Sequence, residues 1–190
     1  MARKNRERQR DEQLAESRER AEAWPGPITF ESVTELATHT DPRERRLALA
    51  LMQREIYERD VPAFRFFPLA RRLVGDPDNI CRWQGLFVIS ECIESHPEDV
   101  WSAVLEYGDS PDEDMRSGVA CVVFEHLLEQ QFELVLPKLR AALPERSPDF
   151  CDTIRMAAGW IEKDAPRFRR VQQVLRTAAR GQPGRARRGP

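Results

Sequence analysis

Histidine is the side chain whose charge changes near neutral pH, so His39, His96 and His126 are the first places to look for proton transfer or metal binding. Either chemistry needs partners at set spacings. Ile93 and Val123 stand three residues before His96 and His126, which leaves out the Glu-x-x-His of di-metal helical bundles; His-Glu-x-x-His is missing as well. His126 falls between Glu125 and Glu129 on one expected helix. That trio is half of a metal or acid-base site or, more simply, a solvated helix face.

Other chemistry-bearing patterns stop short of a site. The run Asp109-Ser110-Pro111-Asp112-Glu113-Asp114 has the charge of a cation loop but lacks the Gly and distal Glu of an EF-hand, and acidic residues suit the positive end of a helix dipole. Neither Gly-x-x-x-x-Gly-Lys-Ser/Thr nor Gly-x-Gly-x-x-Gly occurs, so the chain has no sequence support for a nucleotide cradle. Cys81, Cys92, Cys121 and Cys151 form no Cys-x-x-Cys and no zinc-finger spacing. Their neighbours Ile80, Ile93, Val122 and Phe150 mark them as small buried hydrophobes. The sequence therefore predicts no catalytic residue, no metal and no cofactor.

Binding residues are easier to nominate. Trp83, Trp101 and Trp160 are large rings that fill a core or anchor a partner, and Trp83 adjoins Arg82 at the start of an expected helix. Arg82, Arg116 and Arg155 have two readings: a row of phosphate contacts, or a set of ion pairs with acidic neighbours.

Charge is unevenly placed. Residues 1–23 carry 7 basic and 6 acidic side chains, residues 24–162 have a net charge of −11, and residues 163–190 have one of +8. An acidic body disfavours a duplex-binding groove, so the basic end is the better nucleic-acid candidate. There Arg167, Arg169, Arg170, Arg176, Arg180, Arg185, Arg187 and Arg188 would contact phosphate or an acidic protein face. A tail that is merely solvated, or that folds back on the acidic body, fits the same charges.

The elements that hold these side chains follow from punctuation and period. Residues 2–23 contain Leu14 as their one large apolar side chain, so a helix there rests on paired charges and is expected to fray or project. Trp24-Pro25-Gly26-Pro27 ends it. Beyond that point Asp41-Pro42, Asp76-Pro77, Ser110-Pro111 and Ser147-Pro148, spaced 35, 34 and 37 residues apart, each offer an N-cap oxygen before a Pro suited to a first helical turn. Ser110 and Glu113 complete a capping box, and Asp41 with Glu44 resembles one.

Apolar residues then recur every three or four positions, as in Leu86, Ile89 and Ile93 or Met115, Val119, Val123 and Leu127. Second apolar segments at 61–74, 100–107 and 132–143 supply partner helices. Phe168, Val171, Val174 and Leu175 make one more amphipathic helix within 164–180, ahead of a basic tail, 181–190, expected to be disordered. The longest apolar runs, Leu47–Met52 and Val119–Phe124, are six residues, far short of a bilayer span, and no apolar segment follows the Arg-rich N-terminus. Residence in the cytoplasm, with no membrane contact, is the resulting expectation.

Pro68-Leu69, Gly75-Asp76 and Arg82, then Pro97, Asp109 and Arg116, then Pro137, Asp149 and Arg155, resemble the HEAT repeat pattern. In that family a Pro kinks or starts the first helix, an Asp lies in the turn and an Arg sits early in the second helix. The resemblance implies an all-α fold for residues 28–163: a short right-handed stack of helical hairpins, an alpha-solenoid of HEAT or armadillo-like type. It also implies a ladder of the three arginines along the stack, and a concave face, lined by the second helices, that binds a partner. A non-enzymatic protein-interaction or scaffold role follows, with another protein as partner and Arg82, Trp83, Arg116 and Arg155 as contacts. Nucleic-acid binding through the C-terminal segment is the alternative. A third, weaker reading comes from HEAT-like DNA glycosylases and bilin lyases, in which Trp83, Trp101 and Asp99 would be the suspects.

Overall fold

The computed structural model of the chain describes the backbone of residues 2–160 and 165–180, and the side chains of residues 8–159 and 166–177. The protein is all-helical, with no strand among the described residues. No described helix is long and apolar enough to cross a membrane. The chain divides into two compact units, Met1–Ser95 and His96–Pro190.

The first unit is built on two helix pairs. α1 (Ala2–Glu22) precedes the pair α2 (Phe30–Ala37) and α3 (Pro42–Arg59); a 3-10 turn, Ala63–Phe66, then leads into α4 (Phe67–Val74) and α5 (Asn79–Ser90). α2 packs on α3, α4 on α5, and α3 on α5, so α3 is central and buries Leu47, Ala48, Leu49, Leu51 and Met52. Burial at most consecutive positions is what a helix covered on several sides requires. α3 stops where Asp60 takes a left-handed conformation, φ 55°, which a short polar side chain tolerates better than a bulky one. α4 and α5 approach so closely that a Cβ on Gly85 would lie 2.9 Å from the Ala70 carbonyl oxygen. Gly85 is the sequence's concession to that contact.

The second unit contains α6 (Pro97–Tyr107), α7 (Glu113–Gly118), a π-helical turn Val119–Phe124 and α8 (Glu125–Gln130), followed by α9 (Phe132–Ala142), α10 (Pro148–Trp160) and α11 (Ala165–Arg180). α6 and α10 both pack on the π turn, where Phe124 is fully buried against Trp101 at a ring-centroid distance of 6.0 Å. α11 lays the buried Val171, Val174 and Leu175 towards α9 and α10, as its period predicts.

Two of the four expected caps shift. Asp41 caps α3 by accepting from the Arg43 amide at 2.9 Å, and Ser147 accepts from the Asp149 and Phe150 amides at the start of α10. α5, however, is capped by Asp78, not Asp76, and α7 by Asp112, not Ser110. In both Asp76-Pro77-Asp78 and Ser110-Pro111-Asp112 the first side chain accepts from the amide two residues on, making a turn, and the second then caps the helix. The Ser110–Glu113 capping box is therefore not formed, and Glu44 is taken up by Arg20 instead of its own N-cap.

Residues 2–23 also differ from expectation. α1 neither frays nor projects over its last turns: it packs on α3, with Ser17 and Ala21 buried. Short side chains let a polar helix come close without a large apolar stripe. Cys81 and Cys92 are buried and Cys121 and Cys151 half-buried, all as free thiols. The tail 181–190, with Arg185, Arg187 and Arg188, lies outside the described residues, as do Ile161 and the side chains of Trp160 and Arg180.

Candidate interaction surface

α3 and α5 are joined side by side by polar contacts that run from their first turns to their last. Near the N-terminal ends Arg45 clamps Asp76 through Nε (2.6 Å) and Nη2 (3.0 Å), and Arg46 clamps Asp78, its Nε 3.0 Å from Oδ1. Gln53 Nε2 donates to Gln84 Oε1 at 2.7 Å midway, and Tyr57 donates to Glu91 Oε1 at 2.5 Å at the far end. Residues 46, 50, 53 and 57 of α3, and 80, 84 and 87 of α5 with the C-cap residue 91, follow helical spacing, so each set forms one stripe and the two stripes make a common face.

That face carries unusual exposure. Among the described residues the exposed large hydrophobics are Tyr57 (61 %) and Phe87 (39 %), one on each stripe. Trp83, half-buried, stands one turn before Phe87 on α5. Elsewhere on the face α1 lies across it: Leu14, Ser17 and Arg18 meet Arg46, Gln53 and Gln84 around a cleft of about 10 Å³, too small for more than about one water. An open groove of about 270 Å³ runs between the last turns of α1 and α3, lined by Arg18, Ala21 and Glu22 on one side and Gln53, Tyr57 and Glu58 on the other.

The charged joints set local pKa values. Burial alone would raise the Asp78 carboxyl; its bonds from the Arg46 guanidinium and the Cys81 amide outweigh burial and hold it below the ordinary value. Arg45 and Arg46 are held the more firmly in their charged forms by Asp76 and Asp78. The Cys81 thiol, buried beside those carboxylates, is pushed well above its ordinary value. Its full burial suits a packing group.

The nominated residues scatter. Arg82 and Trp83 are half-buried on α5, next to the face. In the second unit Arg116 donates to the Ser110 carbonyl at 2.8 Å and stands 3.9 Å from Asp149 in the first turn of α10. Arg155 bonds Asp152 within its own helix and is exposed. On α11, Arg167 and Arg170 hold their guanidinium carbons 5.2 and 4.9 Å from the centre of the Phe132 ring, and Arg170 makes a bidentate pair with Glu133. Arg169 and Arg176 are exposed. Trp101 is 6 % exposed and packed on Phe124, so it is a core residue, while Asp99 is exposed in the first turn of α6.

His126 also finds a structural role, donating from Nδ1 to the Val122 carbonyl at 2.8 Å, one turn back beside the π turn. Burial raises its neighbour Glu125 above the ordinary carboxyl value. No group of three His, Cys, Asp or Glu among the described residues is arranged to hold a metal ion.

Tyr57, Phe87 and the Arg45/Arg46 clamp were not singled out from the sequence. A signal existed: Phe87 falls outside the apolar register of Leu86, Ile89 and Ile93, and an aromatic off the core stripe of a helix faces solvent or a partner. No family model, curated protein or solved structure matches this chain.

Proposed function

We propose that the chain is a non-enzymatic protein-interaction module made of HEAT-like helical hairpins, and that the α3–α5 face of its first unit docks a partner protein. Packing in the first unit supports the architecture: the pair α2–α3 packs on the pair α4–α5 through α3 and α5; in the second unit the α7–α8 segment packs on α10. Arg46 with Asp78 and Arg116 with Asp149 occupy corresponding places at the starts of those helices. The observation that carries the function is the exposure of Tyr57 and Phe87 on neighbouring second helices. Large rings in such positions are the commonest anchors of protein interfaces.

The test is affinity capture with the full chain and with a Tyr57→Ala/Phe87→Ala double variant of matched thermal stability. A protein held by the natural chain and lost by the variant is the expected result; equal recovery by both rejects the face as the docking surface.

The alternative, nucleic-acid binding, draws on the exposed Arg169 and Arg176 of α11. Against it, Arg167 and Arg170 are already engaged with Phe132 and Glu133. The acidic charge of the body adds a repulsive background.

A further inference from the structure

We propose that α1 is a built-in occupant of a helix-binding seat on α3–α5, and that the partner is a helix with short side chains on its contact stripe and a cation beside them, which displaces α1. The inference rests on the interaction-module reading and names the chemistry of the partner. Its basis is the way α1 is seated. Ser17 and Ala21, four residues apart and buried, are the contact stripe. Arg20 clamps Glu44 with both Nη2 bonds, 2.7 and 2.9 Å, and Arg54 donates to the Ala21 carbonyl at 2.7 Å near the end of α1. The seat thus selects small residues at i and i+4, a cation on the Glu44 side and a helix end beside Arg54.

α1 fills this seat imperfectly, which makes it displaceable. Glu22 lines the same groove as Tyr57, so a charged side chain stands where an apolar one would meet the ring. The stripe adds little apolar area, and α1 leaves Tyr57 61 % exposed. Pro25-Gly26-Pro27 joins α1 to α2 outside any helix, where release strains nothing. A foreign helix that keeps the small stripe and the cation, and puts an apolar residue where Glu22 stands, gains contact with Tyr57.

The experiment titrates a fluorescein-labelled peptide of residues 2–24 against the full natural chain and against a full-length Ser17→Arg/Ala21→Arg variant that cannot seat its own α1. A tethered helix competes at an effective concentration of about 1 mM. At a Kd of about 100 µM for the variant, the natural chain should bind the peptide about tenfold more weakly. A Glu22→Leu peptide should bind the variant several-fold more tightly. Amide exchange of α4 and α5 reports that the variant keeps its fold; Arg20→Glu, which removes the bonds to Glu44 and the Arg43 carbonyl, should shift affinity in the same direction and serves if the double variant unfolds. Failure of the folded variant to bind, or equal binding by both chains, overturns the inference. Either failure leaves the interaction reading standing if Tyr57→Ala/Phe87→Ala still abolishes capture, whereas peptide binding with capture unchanged removes that reading and keeps the seat.

Discussion

Gln53 Nε2 lies 2.7 Å from Gln84 Oε1, and this neutral bond sits between the Arg46–Asp78 clamp at one end of the α3–α5 face and the Tyr57–Glu91 bond at the other. A helix pair held by polar bonds along its exposed edge keeps a fixed spacing without filling that edge with apolar side chains. Beyond the part that α1 covers, the face stays ordered and open around Tyr57 and Phe87.

Asp78 should make stability pH-dependent. Its folded pKa is below the ordinary 3.8, so its contribution is complete above that value and is lost as pH falls through the folded pKa. Asp78→Asn keeps the cap but leaves the largely buried Arg46 without its counter-charge, and should destabilise by about 2 kcal/mol near neutral pH. Urea unfolding of both proteins should show the gap closing below about pH 4.

Gly85→Ala should destabilise, although alanine ordinarily favours a helix interior over glycine by about 1 kcal/mol. The added Cβ would meet the Ala70 carbonyl at 2.9 Å and Val74 at 3.1 Å, and backbone cannot step aside as a side chain can. A loss of about 1–3 kcal/mol is expected from overpacking, read as a lower melting temperature.

Phe132, 2 % exposed, is the ring that α11 clasps through Arg167 and Arg170. Phe132→Ala should cost about 3–4 kcal/mol and, more tellingly, abolish amide protection along α11. Hydrogen exchange resolved by residue would show α11 opening ahead of α6 and α10.

How far the sequence could be read depends on the range of the interaction. Asp41-Pro42 and Ser147-Pro148 cap their helices because a cap is local, and the amphipathic period of residues 168–175 places α11 because one face of it is apolar. The caps at Asp78 and Asp112 were missed by two residues since Asp76-Pro77-Asp78 and Ser110-Pro111-Asp112 each contain two competing acceptors. Seating of α1 was illegible for another reason: a stripe of Ser17 and Ala21 has no hydrophobic signal, and only the partner surface gives it meaning. The π turn at Val119–Phe124 is hidden likewise, because an apolar run has the same composition in either helix type. Arg45 and Arg46 sat ahead of the first unit that the HEAT-like pattern framed, so their clamp on Asp76 and Asp78 had no predicted counterpart.

The most direct test of the docking face is photo-crosslinking from within it. Phe87, on the open stripe of α5, is replaced by the photoreactive benzoylphenylalanine in the full chain, with the same replacement at the exposed Glu113 of the second unit as a control. A discrete adduct with another protein from position 87, absent from position 113 and suppressed by Tyr57→Ala, is the result expected of a docking face on α3–α5. Adducts from position 113 with none from position 87 would contradict it.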